Sequence, residues 1–146
     1  MFFYSDSEEQ TLQLGMRLAK RLHWGQVVAL YGDLGAGKTV LSRGVARGIG
    51  VDEPVTSPTF TVVQEYRLPD RHYFFHLDMY RIENAEAAVA FGLEDFLFAK
   101  DAITFVEWPE RIEKLLTGPD CIRLTLSHYD HDRRRITVPD ELMLDA

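Results

Sequence analysis

The chain has 146 residues, with 16 Lys and Arg against 23 Asp and Glu, for a net charge of −7. That length suits one domain over residues 1–146, and a pI near 5.2 argues against a basic face for direct duplex or RNA binding. One cysteine, Cys121, excludes an internal disulfide framework and any multi-cysteine metal site.

No apolar run approaches the ~20 residues that span a bilayer. The opening MFFYSDSEEQ has neither the basic region nor the long apolar core of a secretory signal. A cytoplasmic, monomeric unit is the expectation.

Ser5 or Ser7, followed by acidic residues, predicts a helix start, and Ser5-x-x-Glu8 fits a capping box. Leu14, Gly15, Leu18, Ala19 and Leu22 share one helical face, with the helix running to about Arg21 and Gly25 closing it. The unbroken apolar run 27–31 predicts a strand buried on both faces. After a glycine-rich stretch, Leu41, Val45 and Ile49 fall four apart and predict a helix over 38–49. A Pro-bearing loop covers 52–58, and strands over 60–66 and 73–77 flank a polar turn at Pro69-Asp70-Arg71, as in a hairpin. The Ala- and acid-rich stretch 85–98, broken by Gly92, predicts two short helices. A second buried-strand run at 102–106 precedes a helix over 109–116, and late strands over 122–126 and 135–138 flank the turn at 129–132. The fold class expected is α/β, a P-loop NTPase fold with a mixed sheet, flanking helices and late β-hairpins.

The strongest chemical signal is Gly32-Asp33-Leu34-Gly35-Ala36-Gly37-Lys38-Thr39, which matches G-x-x-x-x-G-K-[ST]. Glycines let the chain curl with no Cβ in the way, so several backbone N–H groups converge on phosphate oxygens. Lys38 adds a point charge at the β- and γ-phosphates, Thr39 offers a hydroxyl to Mg²⁺, and the helix behind presents the positive end of its dipole. The match sits between a buried-strand run and a helical pattern, the context that this chemistry needs.

Such a site also requires an acidic residue at a neighbouring strand end. Two apolar runs end that way, in Asp78 and in Glu107, and spacing leaves open which of them meets the metal directly. His76 reads as a strand residue packed or hydrogen-bonded in the sheet. Ser57 and Thr59, in Ser57-Pro58-Thr59-Phe60-Thr61, read either as a phosphate-sensing switch or as a simple Pro turn. Trp108 packs either on a base or on the core. Arg133, Arg134 and Arg135 form either a solvated hairpin end or a phosphate contact. The chain lacks an [NT]-K-x-D segment and a D-x-x-G switch, which favours ATP over GTP.

Taken in order, the phosphate loop, Ser57-Pro58-Thr59-Phe60, His76-Leu77-Asp78-Met79-Tyr80-Arg81 and Val106-Glu107-Trp108-Pro109-Glu110-Arg111 closely resemble the TsaE family. TsaE is the bacterial ATPase required for the threonylcarbamoyladenosine modification of tRNA. The resemblance runs from about Glu8 to about Arg135. It implies that Gly35, Ala36, Gly37, Lys38, Thr39 and Val40 hold the phosphates of ATP, and that Thr39 and Glu107 ligate Mg²⁺. It makes Asp78 a second carboxylate needed for hydrolysis. Trp108, Thr11 and, among the late arginines, Arg133 would lie against the nucleotide. It further implies TsaB and TsaD as partners, slow hydrolysis that resets their complex, and tRNA met only indirectly. A small-molecule kinase and a non-catalytic ATP-dependent sensor are the rival readings.

Overall fold

A computed structural model describes residues 1–33, 36–55, 62–130 and 132–142. In chain order its elements are β1 (Phe2–Ser5), α1 (Glu8–Ala19), β2 (Val27–Gly32), α2 (Lys38–Ile49), β3 (Val63–Leu68), β4 (His72–Asp78), α3 (Ala85–Ala90), β5 (Ala102–Glu107), β6 (Cys121–His128) and β7 (Arg134–Thr137). Short 3-10 segments at Pro69–Arg71, Leu93–Asp95, Pro109–Leu115 and Asp140–Leu142 complete it.

The unbroken apolar runs take the middle of one seven-stranded sheet, ordered β1-β7-β6-β2-β5-β4-β3. β2 pairs in parallel with both β5 and β6, and β4 pairs in parallel with β5. β3, β7 and β1 join antiparallel to β4, β6 and β7, so the sheet is mixed, with hairpins toward both edges.

Side chains alternate across the central strands, as the two-residue period demands. Val28, Leu30, Phe74, Ile103 and Phe105 point to the face covered by α1 and α2. Val27, Ala29, Phe75, Leu77 and Val106 point to the opposite face, under α3 and the 3-10 segments, where Leu93, Ile112 and Leu116 meet them. Val27 to Leu30 are fully buried. At about 1.5–3 kcal/mol for each fully buried aliphatic or Phe side chain, these two clusters drive the fold.

The helix pair α1/α2 packs backbone on backbone. A Cβ built on Gly44 would stand 2.2 Å from the carbonyl oxygen of Leu12, and one on Gly15 would stand 2.5 Å from that of Leu41. Only glycine fits such an approach. The two helices are thereby drawn together backbone to backbone near their middles.

Several local expectations change. The opening residues form an edge strand, β1, with a buried-exposed alternation too short to signal itself. The cap of α1 is Ser7, whose hydroxyl accepts from the Gln10 amide at 3.1 Å, and not Ser5. Ser5 lies in β1 and makes a 2.7 Å hydrogen bond with the buried Thr11 hydroxyl. The helix ends at Ala19 with Lys20 as its cap, two residues before Arg21. The segment after Pro109 is 3-10, kinked at Ile112, instead of an α-helix, and the second helix of 85–98 is a single 3-10 turn. The strand expected over 60–66 runs from Val63 to Leu68, with residues 60 and 61 outside the described ones.

Gly44→Ala gains about 1 kcal/mol of helix propensity. It also drives a methyl into the Leu12 carbonyl, which cannot rotate away, and overpacking of that kind costs about 1–3 kcal/mol. The expected outcome is a lower midpoint in chemical denaturation. A raised midpoint would mean that the helices separate freely.

Candidate functional site

The site forms where β2 runs out into its glycine-rich loop. Within that loop Leu34 and Gly35 lie outside the described residues. Ala36 is fully buried, and its amide donates to the Asp33 carbonyl at 3.2 Å. Gly37 adopts φ 100°, ψ 18°, a left-handed conformation that L side chains resist, and α2 begins at the next residue. The first amides of a helix have no intrahelical acceptor, and among the described residues no side chain caps these. Lys38, Thr39 and Val40 therefore start α2 with bare, positively polarised N–H groups.

Lys38 is 6% exposed. Its Nζ is buried without a hydrogen-bond partner among the described residues, and it lies 4.2 Å from the centroid of the Trp108 ring. A cation–π contact is worth about 0.5–2 kcal/mol, which does not replace hydrogen bonds to an ammonium withdrawn from water. The position suits an anion with acceptor oxygens.

Trp108 reaches Lys38 because the chain turns sharply after β5, with Trp108 itself at φ 58° and Pro109 next. The segment that follows is anchored at its far end. The Tyr31 hydroxyl hydrogen-bonds Glu113 Oε1, and Arg123 donates to Glu113 Oε2 at 3.2 Å and to the Leu116 carbonyl at 2.8 Å. Burial first, and the Glu113 carboxylate second, hold the Tyr31 hydroxyl protonated well above its ordinary range. The Tyr80 ring leans on Trp108 at 5.2 Å between centroids.

Two carboxylates stand side by side at the strand ends. The parallel register of β4 and β5 makes Asp78 the partner of Glu107, and the register of β2 and β5 makes Leu30 the partner of Glu107. Glu107 is buried, and its Oε2 lies 2.6 Å from Nε2 of the fully buried His76. Asp78 is half-buried and accepts the Tyr80 amide at 3.0 Å on Oδ1. Its pKa is raised above the ordinary aspartate value, chiefly by loss of water and further by the Glu107 charge. The Tyr80 amide, His76 and Lys38 pull the other way.

Beside α2 opens a cavity of about 350 Å³, lined by Thr11, Gly37, Val40 and Arg134 together with Ser7 and Asp132. Thr11 is 3% exposed. The Arg133 guanidinium donates to the Asp130 carboxylate at 2.5–3.2 Å and lies 5.0 Å from the centroid of the Tyr129 ring. Of the three late arginines, Arg134 is the one on this cavity.

The fold thus brings Lys38, Trp108, Asp78 and Glu107 to one point and Thr11, Gly37 and Val40 to an adjoining one. Thr39 sits half-buried in the turn between them, while Ser57 and Thr59 lie outside the described residues. The contact that sequence reasoning missed is His76 with Glu107. The signal for it was present, because His76 and Asp78 are two apart on a strand and so share a face. A group of phosphates with a divalent cation fits this donor set. Lys38 and the first amides of α2 offer the hydrogen bonds, and Thr39 with a carboxylate offers the oxygens that Mg²⁺ prefers.

Known proteins resemble this chain over most of its length. The family model described as threonylcarbamoyl adenosine biosynthesis protein TsaE matches residues 5–136. The tRNA threonylcarbamoyladenosine biosynthesis protein TsaE of Synechocystis sp. is 42% identical over 118 residues, covering 79% of this chain and 74% of that protein. The Haemophilus influenzae protein of that name is 36% identical over 135 residues, 89% of this chain and 84% of its own. The crystal structure of Bacillus subtilus YdiB superposes with a TM-score of 0.74 at 26% identity, covering 98% of this chain and 88% of that one.

The raised pKa of Asp78 has a stability consequence. The folded state holds this proton more tightly than the unfolded chain does, so its contribution is full below the ordinary value of 3.8. That contribution falls away as pH rises through the raised folded value. Asp78→Asn keeps the acceptor for the Tyr80 amide and removes the charge. It should melt higher than the parent chain near neutral pH, about pH 7, with the gap closing toward about pH 3. Equal melting temperatures at both ends would show that Asp78 ionises without cost.

Proposed function

The chain belongs to the TsaE family, and on that premise we propose that it binds ATP with Mg²⁺ and hydrolyses it slowly, within the machinery that makes threonylcarbamoyladenosine in tRNA. The observation that carries the reading is the buried ammonium of Lys38, without a hydrogen-bond partner among the described residues and set at the start of α2 beside two carboxylates.

In this reading the loop amides and Lys38 bind the β- and γ-phosphates and hold them in line with the α2 dipole. Mg²⁺, when bound, supplies positive charge to the phosphate oxygens; Thr39 and Glu107 would hold it. Asp78, with Oδ1 already engaged by the Tyr80 amide, keeps Oδ2 for orienting the attacking water. Trp108 covers the phosphates from the β5 side, and Thr11, Val40 and Arg134 receive the rest of the nucleotide in the adjoining cavity.

We place TsaB and TsaD as the partners, with hydrolysis resetting their complex and not driving the transfer to adenosine. The net charge of −7 fits a component that meets tRNA only through the assembly. Among the described residues no helix is long and apolar enough to cross a membrane, in keeping with a cytoplasmic site of action.

Lys38→Ala should abolish ATP binding in calorimetry. Asp78→Ala and Glu107→Ala should remain folded and lower Mg²⁺-dependent phosphate release by about 100-fold or more, the usual loss when a group that stabilises the transition state is removed. Unchanged release in both would overturn the assignment, and phosphate passed to a nucleoside or sugar would make the chain a kinase. Retention of TsaB and TsaD on the immobilised chain in the presence of ATP tests the partners.

A further inference from the structure

Lys38 and Glu107 are opposite charges in one water-poor site, yet among the described residues the Lys38 ammonium has neither a hydrogen bond nor an ion pair. Both groups lie close enough to Asp78 to shift its pKa. Two buried opposite charges left to themselves close into contact, since attraction grows as the local dielectric falls. Something holds them apart.

Each charge has its own restraint. Trp108 lies over the ammonium at 4.2 Å, and His76 takes Glu107 Oε2 at 2.6 Å. The second restraint is the firmer, because a short bond to a carboxylate is about twice as strong as a neutral one. A carboxylate oxygen accepts, so Nε2 carries the proton. The bond occupies Oε2 and leaves Oε1 as the oxygen with which Glu107 can reach a ligand. His76 can do this because it sits two register positions before Asp78 on the same face of β4, paired with Phe105 on β5, with its ring fully buried.

We propose that His76 is a positioning residue that keeps Glu107 off Lys38. It prevents an ion pair that would consume, in one contact, both the cation meant for phosphate and the carboxylate meant for metal. The inference rests on the reading of this site as one for nucleotide phosphates and Mg²⁺. It makes a demand which that reading alone does not: losing His76 must weaken nucleotide binding even when no metal is present, by way of Glu107.

The test compares His76→Asn with His76→Gln. The Gln amide reaches about as far as Nε2, and the Asn amide stops near Nδ1. Both are polar and similar in bulk, and thermal melts check that both fold. Affinity for the non-hydrolysable analogue AMP-PNP is measured by calorimetry in EDTA and again with Mg²⁺. His76→Asn should bind about 10-fold more weakly in EDTA, the lower end of the usual loss when a residue orienting a ligand is removed. His76→Gln should stay close to wild type, and adding Glu107→Ala to His76→Asn should restore the metal-free affinity. If His76→Asn binds like wild type in EDTA, or if Glu107→Ala fails to rescue it, the positioning role is overturned while the nucleotide site stands. If wild-type binding survives Lys38→Ala, the reading of the site falls and takes this role with it.

Discussion

A lysine ammonium held out of water, with no oxygen to bond among the described residues, is the condition around which this structure is arranged. Lys38 costs folding more than its contact with Trp108 returns: a long flexible side chain is ordered and a charge is desolvated. Its surroundings bear that cost with apolar surface elsewhere. β2 is buried on both faces up to the point where the loop begins, and α2 leaves from the loop with Leu41, Ser42 and Val45 fully buried behind Lys38. The strain of the left-handed Trp108 backbone has the same origin, because only that reversal after β5 lays the indole over the ammonium.

The sheet contributes position more than chemistry. Parallel pairing is indifferent to side-chain charge, so the register that packs Phe74 and Phe105 on one face also sets Asp78 beside Glu107. On the far face the anchor of Tyr31 and Arg123 on Glu113 ties the segment after Trp108 to β2 and β6, so the indole sits on a braced support.

Much of this was legible in the sequence, and what was not has a physical reason in each case. The phosphate loop, the buried strands and the start of α2 at Lys38 carry local signals: glycine spacing, apolar runs and a four-residue period. β1 does not, since a four-residue edge strand is defined by its partner β7, more than a hundred residues away. Ser5 and Ser7 are equally good caps in the sequence, and the choice is made by the Thr11 hydroxyl, which engages Ser5. The three late arginines look alike until pairing sorts them. Arg135 crosses from Tyr4 on the outer side and Arg134 from Ser5, while Arg133 stays outside the strand with Asp130. The pairing of His76 with Glu107 was half legible: the two-residue spacing puts His76 on the face of Asp78, but the register that brings Glu107 there is set between strands.

The contact of α1 with α2 through Gly15 and Gly44 has a consequence of scale. Packed backbone to backbone, the helices have no compressible layer of side chains between them, and neither can slide without a steric collision. Thr11 rides on one and Lys38 on the other. The span between the Thr11 cavity and the lysine therefore acts as the fixed jaws of a caliper. On the proposed reading, a nucleoside seated in the cavity would meet the ammonium only through a phosphate chain long enough to cross that fixed span. Two glycines remote from both ends would then set the length that the site accepts.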